Sequence, residues 1–274
     1  MFPTMTTTLI TAASANHFAP LQRLLYTLAK FEPKLHVVVW DLGLDAAQRQ
    51  QLTGDVRTFD FSPYPPYFDL AKNAGRMGFR PVCLAAAAKE FGGVIVWMDA
   101  GNLLMGGLYH FARFVTRVGA WSPVTQGQVG RKLAPSSAGA LGVTDAIASA
   151  PLLDAGLCAF DTVNPSAVAL LSAWRAAALN PAIADPAGAD RYAHRQDAVF
   201  TALFHLTGIV WKPWRVPVWM HQDMTNLDGL KWLLREPLKP VHAQPIFAPK
   251  HPPTSATSRP PAGAGHPVGD RAAH

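Results

Sequence analysis

The hydrophobic pattern of the first hundred residues alternates between the period of strands and the period of helices. Short apolar runs rich in β-branched residues predict strands at 7–14, 35–40, 55–61 and 93–99. Apolar residues at helical spacing predict helices at 18–31, 45–52 and 80–91. Because strands and helices alternate, we expect a mostly parallel sheet with helices on both faces.

The pattern continues less regularly in the second half of the chain. It predicts strands near 119–124, at 157–160 and at 209–211, and helices at 143–149, 165–178 and 196–207. A Gly- and Ser-rich loop is expected at 126–142. From about Pro240 the residues are mainly Pro, Ala, Gly, His and Ser without periodicity. We therefore expect one folded domain over 1–239 and a disordered tail over 240–274.

The composition is typical of a globular protein. Of the 274 residues, 49% are hydrophobic, which allows a sizeable core. No apolar run reaches the roughly 18 residues that span a bilayer, and residues 1–6 do not resemble a signal peptide. We therefore expect a cytoplasmic protein, with peripheral attachment to the inner membrane as an alternative. Cys83 and Cys158 lie in apolar runs, which predicts two buried thiols rather than a disulfide.

The net charge of +6 leaves three interpretations open. A nucleic-acid partner, a phosphate-bearing small substrate and a basic surface that aids solubility each account for it. The Lys and Arg residues are scattered and form no basic stripe interleaved with aromatic residues. For this reason we expect no nucleic-acid partner.

Three common enzyme motifs are missing from the sequence. Thr11-Ala12-Ala13-Ser14 follows the first predicted strand, where a dinucleotide site would have its glycine-rich turn. The sequence also contains no phosphate-binding P-loop and no Gly-x-Ser-x-Gly nucleophile elbow. Dehydrogenases, P-loop enzymes and α/β-hydrolases are therefore disfavoured.

Polar residues follow several predicted strands. Residues 94–98 form the most apolar strand, and Asp99 comes directly after it. Asp41 ends the second strand, and Ser14 follows the first. In a parallel sheet these side chains project to one edge, where ligands bind. The oxygens of Asp99 and Asn102 suit Mg²⁺ or Mn²⁺, although Asp is also common in turns that have no ligand.

Three segments in this order resemble the GT-A class of nucleotide-sugar glycosyltransferases. They are Thr11-Ala12-Ala13-Ser14, Trp40-Asp41-Leu42-Gly43-Leu44 and Val96-Trp97-Met98-Asp99-Ala100-Gly101. The resemblance covers about residues 7–225 and implies a GT-A-like, Rossmann-type three-layer α/β/α fold. In that class the fourth strand ends in an Asp-x-Asp motif that binds a metal and the sugar nucleotide. Here Asp99 matches the first Asp, and Gly101 stands at the second position.

The resemblance implies roles for particular residues. Asp154 and Asp197 correspond to residues that orient the acceptor or act as general base. Asp99 and His221 correspond to ligands of Mn²⁺ or Mg²⁺. Apart from the resemblance, Asp197 could simply stabilise the start of a helix, and a lone His221 could be an ordinary surface residue. The residues implied to bind the donor are Thr11, Ala12, Ser14, Asp41, Arg76, Arg80, Asp99, Ala100, Gly101 and Asn102.

The activity that the resemblance implies is transfer of a sugar from a nucleotide-diphosphate donor to a hydroxyl group. The acceptor would be a sugar, a lipid or a protein. The alternative is a catalytically inactive nucleotide-sugar or carbohydrate-binding protein on the same fold, because Gly101 replaces the second Asp of the motif.

Overall fold

The structure is a computed structural model that describes residues 6–73, 77–189 and 194–220. The strands in these ranges are β1 (Thr7–Ala13), β2 (His36–Asp41), β3 (Asp55–Thr58), β4 (Val94–Met98), β5 (Leu103–Leu104), β6 (Ala120–Trp121), β7 (Val124–Gln128), β8 (Pro151–Leu153), β9 (Leu157–Asp161) and β10 (Val218–Trp219). The helices are α1 (Phe18–Phe31), α2 (Ala46–Gln50), α3 (Leu70–Asn73), α4 (Phe79–Phe91), α5 (Tyr109–Val118), α6 (Val129–Lys132), α7 (Pro135–Leu141), α8 (Asp145–Ala148), α9 (Pro165–Leu179), α10 (Pro181–Ala184) and α11 (Gln196–Leu206).

The central sheet contains six strands in the order β3-β2-β1-β4-β9-β6. Strand β1 pairs in parallel with β2 and β4, and β2 pairs in parallel with β3. Strand β9 runs antiparallel to both β4 and β6. The predicted α/β class with a mostly parallel sheet is therefore confirmed. The carboxyl ends of β1, β2 and β4 meet at one edge, because all three strands run in the same direction.

Helices cover both faces of the sheet, which gives three layers. Ile95 and Trp97 of β4 belong to the cluster that includes residues of α4, α9 and α11. Val94, Val96 and Met98 belong to the cluster on the opposite face, with residues of α1 and α5. Burial on both faces explains why every residue of β4 is apolar. Asp99 is the first polar residue after this strand.

The irregular second half differs from the sequence pattern in several places. Helix α5, strand β8 and helix α10 were not predicted. The predicted loop at 126–142 contains the end of β7 together with α6 and α7. Residues 209–211 do not form the predicted strand, and β10 lies further along the chain at Val218–Trp219. The indole of Trp211 instead donates to the backbone oxygen of Ser122 at 2.9 Å. A side-chain hydrogen bond thus holds this segment where backbone pairing was expected.

Parts of the expected domain organisation lie outside the described residues. The tail at 240–274 and the last part of the 1–239 domain are among them. Within the described ranges, no helix combines the length and the apolar character needed to cross a membrane.

Candidate active site

Asp99 stands at the carboxyl end of β4, at the edge of the sheet that the sequence pattern singled out. Its backbone N–H donates to the oxygen of Gly156 at 2.8 Å, which joins the end of β4 to the loop before β9. Its side chain remains 26% exposed, although the strand before it is buried. The carboxylate is therefore fixed by its surroundings and still accessible from the edge of the sheet.

A buried arginine neutralises this carboxylate. One terminal nitrogen of Arg80, in the first turn of α4, donates to both oxygens of Asp99, at 3.0 Å and 2.8 Å. The indole N–H of Trp97 donates to Asp99 Oδ1 at 2.6 Å, and the guanidinium lies 5.6 Å from the centre of the Trp97 ring. Burial disfavours the charge on Arg80, but Asp99 and Asp197 outweigh burial and raise the pKa of Arg80. The guanidinium therefore stays charged beside the Asp99 carboxylate.

The loop between β8 and β9 brings a second carboxylate to the same place. The N–H of Gly156 donates to Asp154 Oδ1 at 2.8 Å. A Cβ atom on Gly156 would lie 2.7 Å from Asp99 Oδ2 and 2.9 Å from Asp154 Oδ1. The two carboxylates thus approach each other across a position that only glycine can occupy without displacing them. The Asn102 amide also donates to the oxygen of Gly156, at 2.9 Å, and so secures this loop.

Asp197 adds a third carboxylate from the first turn of α11. Its Oδ1 accepts from the N–H of Ala155 at 3.2 Å, and its Oδ2 lies 2.9 Å from Arg195. Burial raises the pKa of Asp197, and nearby Asp154 adds to the rise, while Arg80 and Arg195 oppose it. A carboxyl group with a raised pKa is suited to accept a proton from a hydroxyl group.

The structure therefore brings Asp99, Asp154 and Asp197 together around Arg80. All four were predicted from the sequence, which indicated neither a role for the Trp97 side chain nor the close packing at Gly156. The signal for Trp97 was its position two residues before Asp99, which places both side chains on the same side of an extended chain. No local signal identified Gly156, because its constraint comes from the neighbouring carboxylates.

The residues proposed at the ends of β1 and β2 lie on the same edge of the sheet. In the register of these strands, Ala13 pairs with Asp41. Thr11 and Ala12 are buried, and the Thr11 hydroxyl has no hydrogen-bond partner among the described residues. Ser14 is partly exposed and donates to Asn16 Oδ1 at 2.7 Å. Of the three proposed residues in this segment, Ser14 is the one positioned to meet a ligand directly.

Asp41 serves the local turn. Its Oδ1 accepts from the N–H groups of Gly43 at 2.9 Å and of Leu44 at 2.7 Å. Its Oδ2 lies 3.6 Å from Arg49. These contacts account for a buried carboxylate at the end of β2 without a ligand. A direct role in donor binding stays a prediction.

The segment after Asp99 is mostly enclosed. Ala100 and Asn102 are buried, whereas Gly101 is partly exposed and has nothing within 4 Å of a Cβ position. The proposed donor-binding residue Arg76 and the proposed metal ligand His221 lie outside the described residues.

The described residues do not fit a divalent metal ion. Both oxygens of Asp99 already accept from Arg80, and Oδ1 also accepts from Trp97. Gly101 offers no side-chain ligand where the second Asp of the motif would stand. In the parts of the chain that the structure describes, no group of three His, Cys, Asp or Glu side chains could hold a metal. Arg80 supplies the positive charge beside Asp99 instead.

The close approach at Gly156 gives a testable consequence. We expect Gly156→Ala to lower the free energy of unfolding by about 1–3 kcal/mol, because the new methyl group must displace two carboxylates. Gly139→Ala is the matched control, since that glycine lies in α7 with nothing within 4 Å of its Cβ position. It should raise stability by up to about 1 kcal/mol. Urea unfolding of both variants measures the difference, and equal stabilities would refute the crowding at Gly156.

The chain is similar to several known proteins. Residues 4–85 match a family described as a protein of unknown function (DUF1647). No curated protein matches the chain. One similar solved structure is the apo form of the bifunctional glycosyltransferase WbbM, at 10% identity and a TM-score of 0.48. The match covers 74% of this chain and 38% of WbbM, so this chain spans less than half the length of that protein.

Two other solved structures match along most of their own length. Galactosyltransferase LgtC, in complex with donor and acceptor sugar analogues, is 14% identical with a TM-score of 0.48. That match covers 82% of this chain and 94% of LgtC. Apo mouse xyloside xylosyltransferase 1 is 10% identical with a TM-score of 0.49, and the match covers 80% of this chain and 98% of that one. All three are named as glycosyltransferases.

Proposed function

We propose that the protein is a glycosyltransferase that moves a sugar from a nucleotide-diphosphate donor to a hydroxyl group of a sugar, lipid or protein acceptor. The observation that carries this proposal is the convergence of Asp99, Asp154 and Asp197 at the carboxyl ends of the strands. This edge is where α/β sheets bind ligands. Carboxylates there can hold sugar hydroxyl groups and accept the proton that the acceptor loses.

Each of the three carboxylates would have a different role. Asp99 would hold the donor sugar through its accessible side, with its orientation fixed by Arg80 and Trp97. Asp154 would position the acceptor hydroxyl, since its Oδ1 already aligns the loop between β8 and β9. Asp197 would act as general base, because burial raises its pKa above that of an ordinary carboxyl group.

Basic residues beside Asp197 are suited to bind the diphosphate. Arg195 is 52% exposed although it pairs with Asp197, so its guanidinium can also contact a phosphate. Its backbone N–H donates to the oxygen of Lys132 at 2.9 Å, which brings α6 next to the start of α11. Arg131, which also lies in α6, is exposed. These side chains can neutralise a leaving diphosphate without a step that depends on a metal.

A non-catalytic nucleotide-sugar or carbohydrate-binding protein is the second candidate. The observation that favours it is the ion pair between Arg80 and Asp99, which occupies both oxygens of the carboxylate. Such a protein would bind a donor at the same edge of the sheet and would release no nucleoside diphosphate.

Thermal shift with nucleotide diphosphates and nucleotide sugars tests ligand binding in both candidates. A ligand at about a hundred times its Kd stabilises the folded state by about 2.7 kcal/mol, which raises Tm. We expect this rise with nucleotides that carry one particular base and not with the others. We expect the same shift in EDTA and in Mn²⁺, because Arg80 occupies the oxygens that would bind the metal. A shift that requires Mn²⁺ would contradict this role of Arg80.

Two variants and one assay separate the possible outcomes. Asp99→Asn should lose the ligand-dependent shift, whereas Asp145→Asn, at an exposed position in α8, should keep it. Release of nucleoside diphosphate with a panel of acceptors then distinguishes the enzyme from the binding protein. If no nucleotide or nucleotide sugar shifts Tm, the glycosyltransferase and the nucleotide-sugar-binding protein are both refuted.

A further inference from the structure

Exposed aromatic residues concentrate on one surface of the molecule. In the part of the chain that the structure describes, the strongly exposed aromatic side chains are Tyr109 at 60%, Trp219 at 40% and Trp214 at 38%. Tyr109 begins α5, and the two tryptophans lie in the segment 210–219. We call α5 and this segment together the basic–aromatic face. Of the exposed Val and Leu residues, Val210 lies in this segment, and the others are scattered elsewhere.

One ring contact joins the two parts of this face, and two hydrogen bonds anchor the segment 210–219 to other parts of the domain. The rings of Phe114 and Trp214 stack with their centroids 4.4 Å apart. The indole of Trp121 donates to the oxygen of Lys212 at 3.0 Å, and the N–H of Met105 donates to the oxygen of Pro217 at 2.7 Å. The face is therefore one continuous, anchored surface.

The direction of the side chains along the extended segment explains the exposure. Val216, Val218 and Met220 pack against the core cluster on the α1 and α5 side of the sheet. Arg215 and Trp219 alternate with them and are exposed. The segment thus buries its aliphatic residues and presents a cation and an aromatic ring to its surroundings.

The charge on this face has a single sign. Arg113, Arg117, Lys212 and Arg215 are exposed on it, and none of them forms an ion pair with a carboxylate in the described ranges. The sequence has no Asp or Glu in residues 100–144 or in residues 198–222. These cations therefore remain available to an anionic partner.

We propose that the basic–aromatic face binds an anionic membrane surface. Tyr and Trp prefer the level of the lipid headgroups, and exposed Lys and Arg residues are attracted to anionic lipids. The rings are less suited to stacking nucleobases, because Phe114 covers one side of Trp214 and Arg113 lies 5.9 Å from the centre of the Tyr109 ring. The available ring edges match insertion between headgroups.

The position of the face suits an enzyme that acts next to a membrane. Trp219 of β10 pairs with Leu103 of β5 in a two-stranded sheet. Leu103 is four residues after Asp99 in the chain. A membrane bound at this face would lie beside the edge of the sheet that holds the carboxylates. The inference concerns the surface alone and can be tested whether or not the protein transfers sugars.

Co-sedimentation of the full chain with vesicles tests the inference. We expect binding to vesicles of equal parts phosphatidylcholine and phosphatidylglycerol, weak binding to phosphatidylcholine alone, and weaker binding to the anionic vesicles as salt rises. Arg113→Glu/Arg215→Glu should weaken binding at least about thirtyfold, since each basic residue near the surface contributes about fivefold. Tyr109→Ser/Trp219→Ser should weaken it about tenfold through lost apolar contact.

A matched variant controls for overall charge. Lys34→Glu/Lys89→Glu changes the net charge by the same amount at exposed sites outside this face and should bind within about twofold of the original chain. Circular dichroism and Tm identify any variant that fails to fold, and the aromatic pair then tests the face independently of charge. Equal loss in the control, or no binding to anionic vesicles, would overturn the inference. Binding to single-stranded RNA that the Arg113 and Arg215 changes abolish, without vesicle binding, would instead assign a nucleic-acid surface.

Discussion

Replacing Arg80 with methionine should destabilise the protein by about 3–5 kcal/mol and abolish binding of nucleotide sugars. Arg80 is 3% exposed and its guanidinium donates to both oxygens of Asp99, so its removal leaves a partly buried carboxylate without its cation. For a chain of this size, a loss of that magnitude lowers Tm by about 10 °C. Urea unfolding and thermal shift with the ligand measure the two effects.

A double variant separates the ion pair from simple packing. Arg80→Met/Asp99→Asn removes both charges and keeps an amide oxygen that can accept from Trp97. It should recover most of the lost stability, because replacing both members of a buried pair is often nearly neutral, but it should not recover ligand binding. Arg49→Met, which breaks the more exposed contact with Asp41, should cost less than about 1 kcal/mol. If the single and double variants are equally unstable, the pair is not the source of the effect.

The fold was predictable where one periodic pattern extended through an element. Strand β4 is apolar at every residue and is buried on both faces, so its pattern and position agree. The predicted helices at 165–178 and 196–207 agree with α9 and α11, whereas α7 was harder to predict because its residues are small. Helix α7 has the sequence Pro-Ser-Ser-Ala-Gly-Ala-Leu, which is typical of a loop. Its Ser137 is buried and donates to the oxygen of Ile183 at 3.0 Å, so a tertiary contact outweighs local preference.

The sequence predicts which residues form the site, but it does not predict the hydrogen bonds and ion pairs between them. Asp99 and Asp41 both end predicted strands, and both were predicted to bind the donor. The structure separates them, because the turn after β2 occupies Asp41, whereas Asp99 is paired with Arg80 and remains partly exposed. These partners lie on different elements and meet only when α4 packs on the sheet. The pattern of residues along the chain carries no information about this tertiary contact.

Replacing Asp197 with asparagine should remove sugar transfer while leaving Tm unchanged or higher. A general base contributes about 10²–10⁴-fold to a rate, so nucleoside diphosphate release should fall by that factor. The amide oxygen can still accept from the N–H of Ala155, and the cost of burying a charge disappears. A residue with a purely structural role would lose stability when changed, and the transfer rate would then follow the folded fraction.

The pH dependence gives a second measure of the same residue. Burial raises the pKa of Asp197 in the folded chain above its value in the unfolded chain, so the unfolded state releases this proton first. The contribution of Asp197 to the free energy of unfolding therefore falls as pH rises from the ordinary carboxyl value to the raised one. Asp197→Asn should abolish that part of the pH dependence, whereas Asp145→Asn should leave it in place. In the original chain the transfer rate should rise over the same pH window, because a general base works only when deprotonated. A rate that is flat across this window would rule out Asp197 as the base.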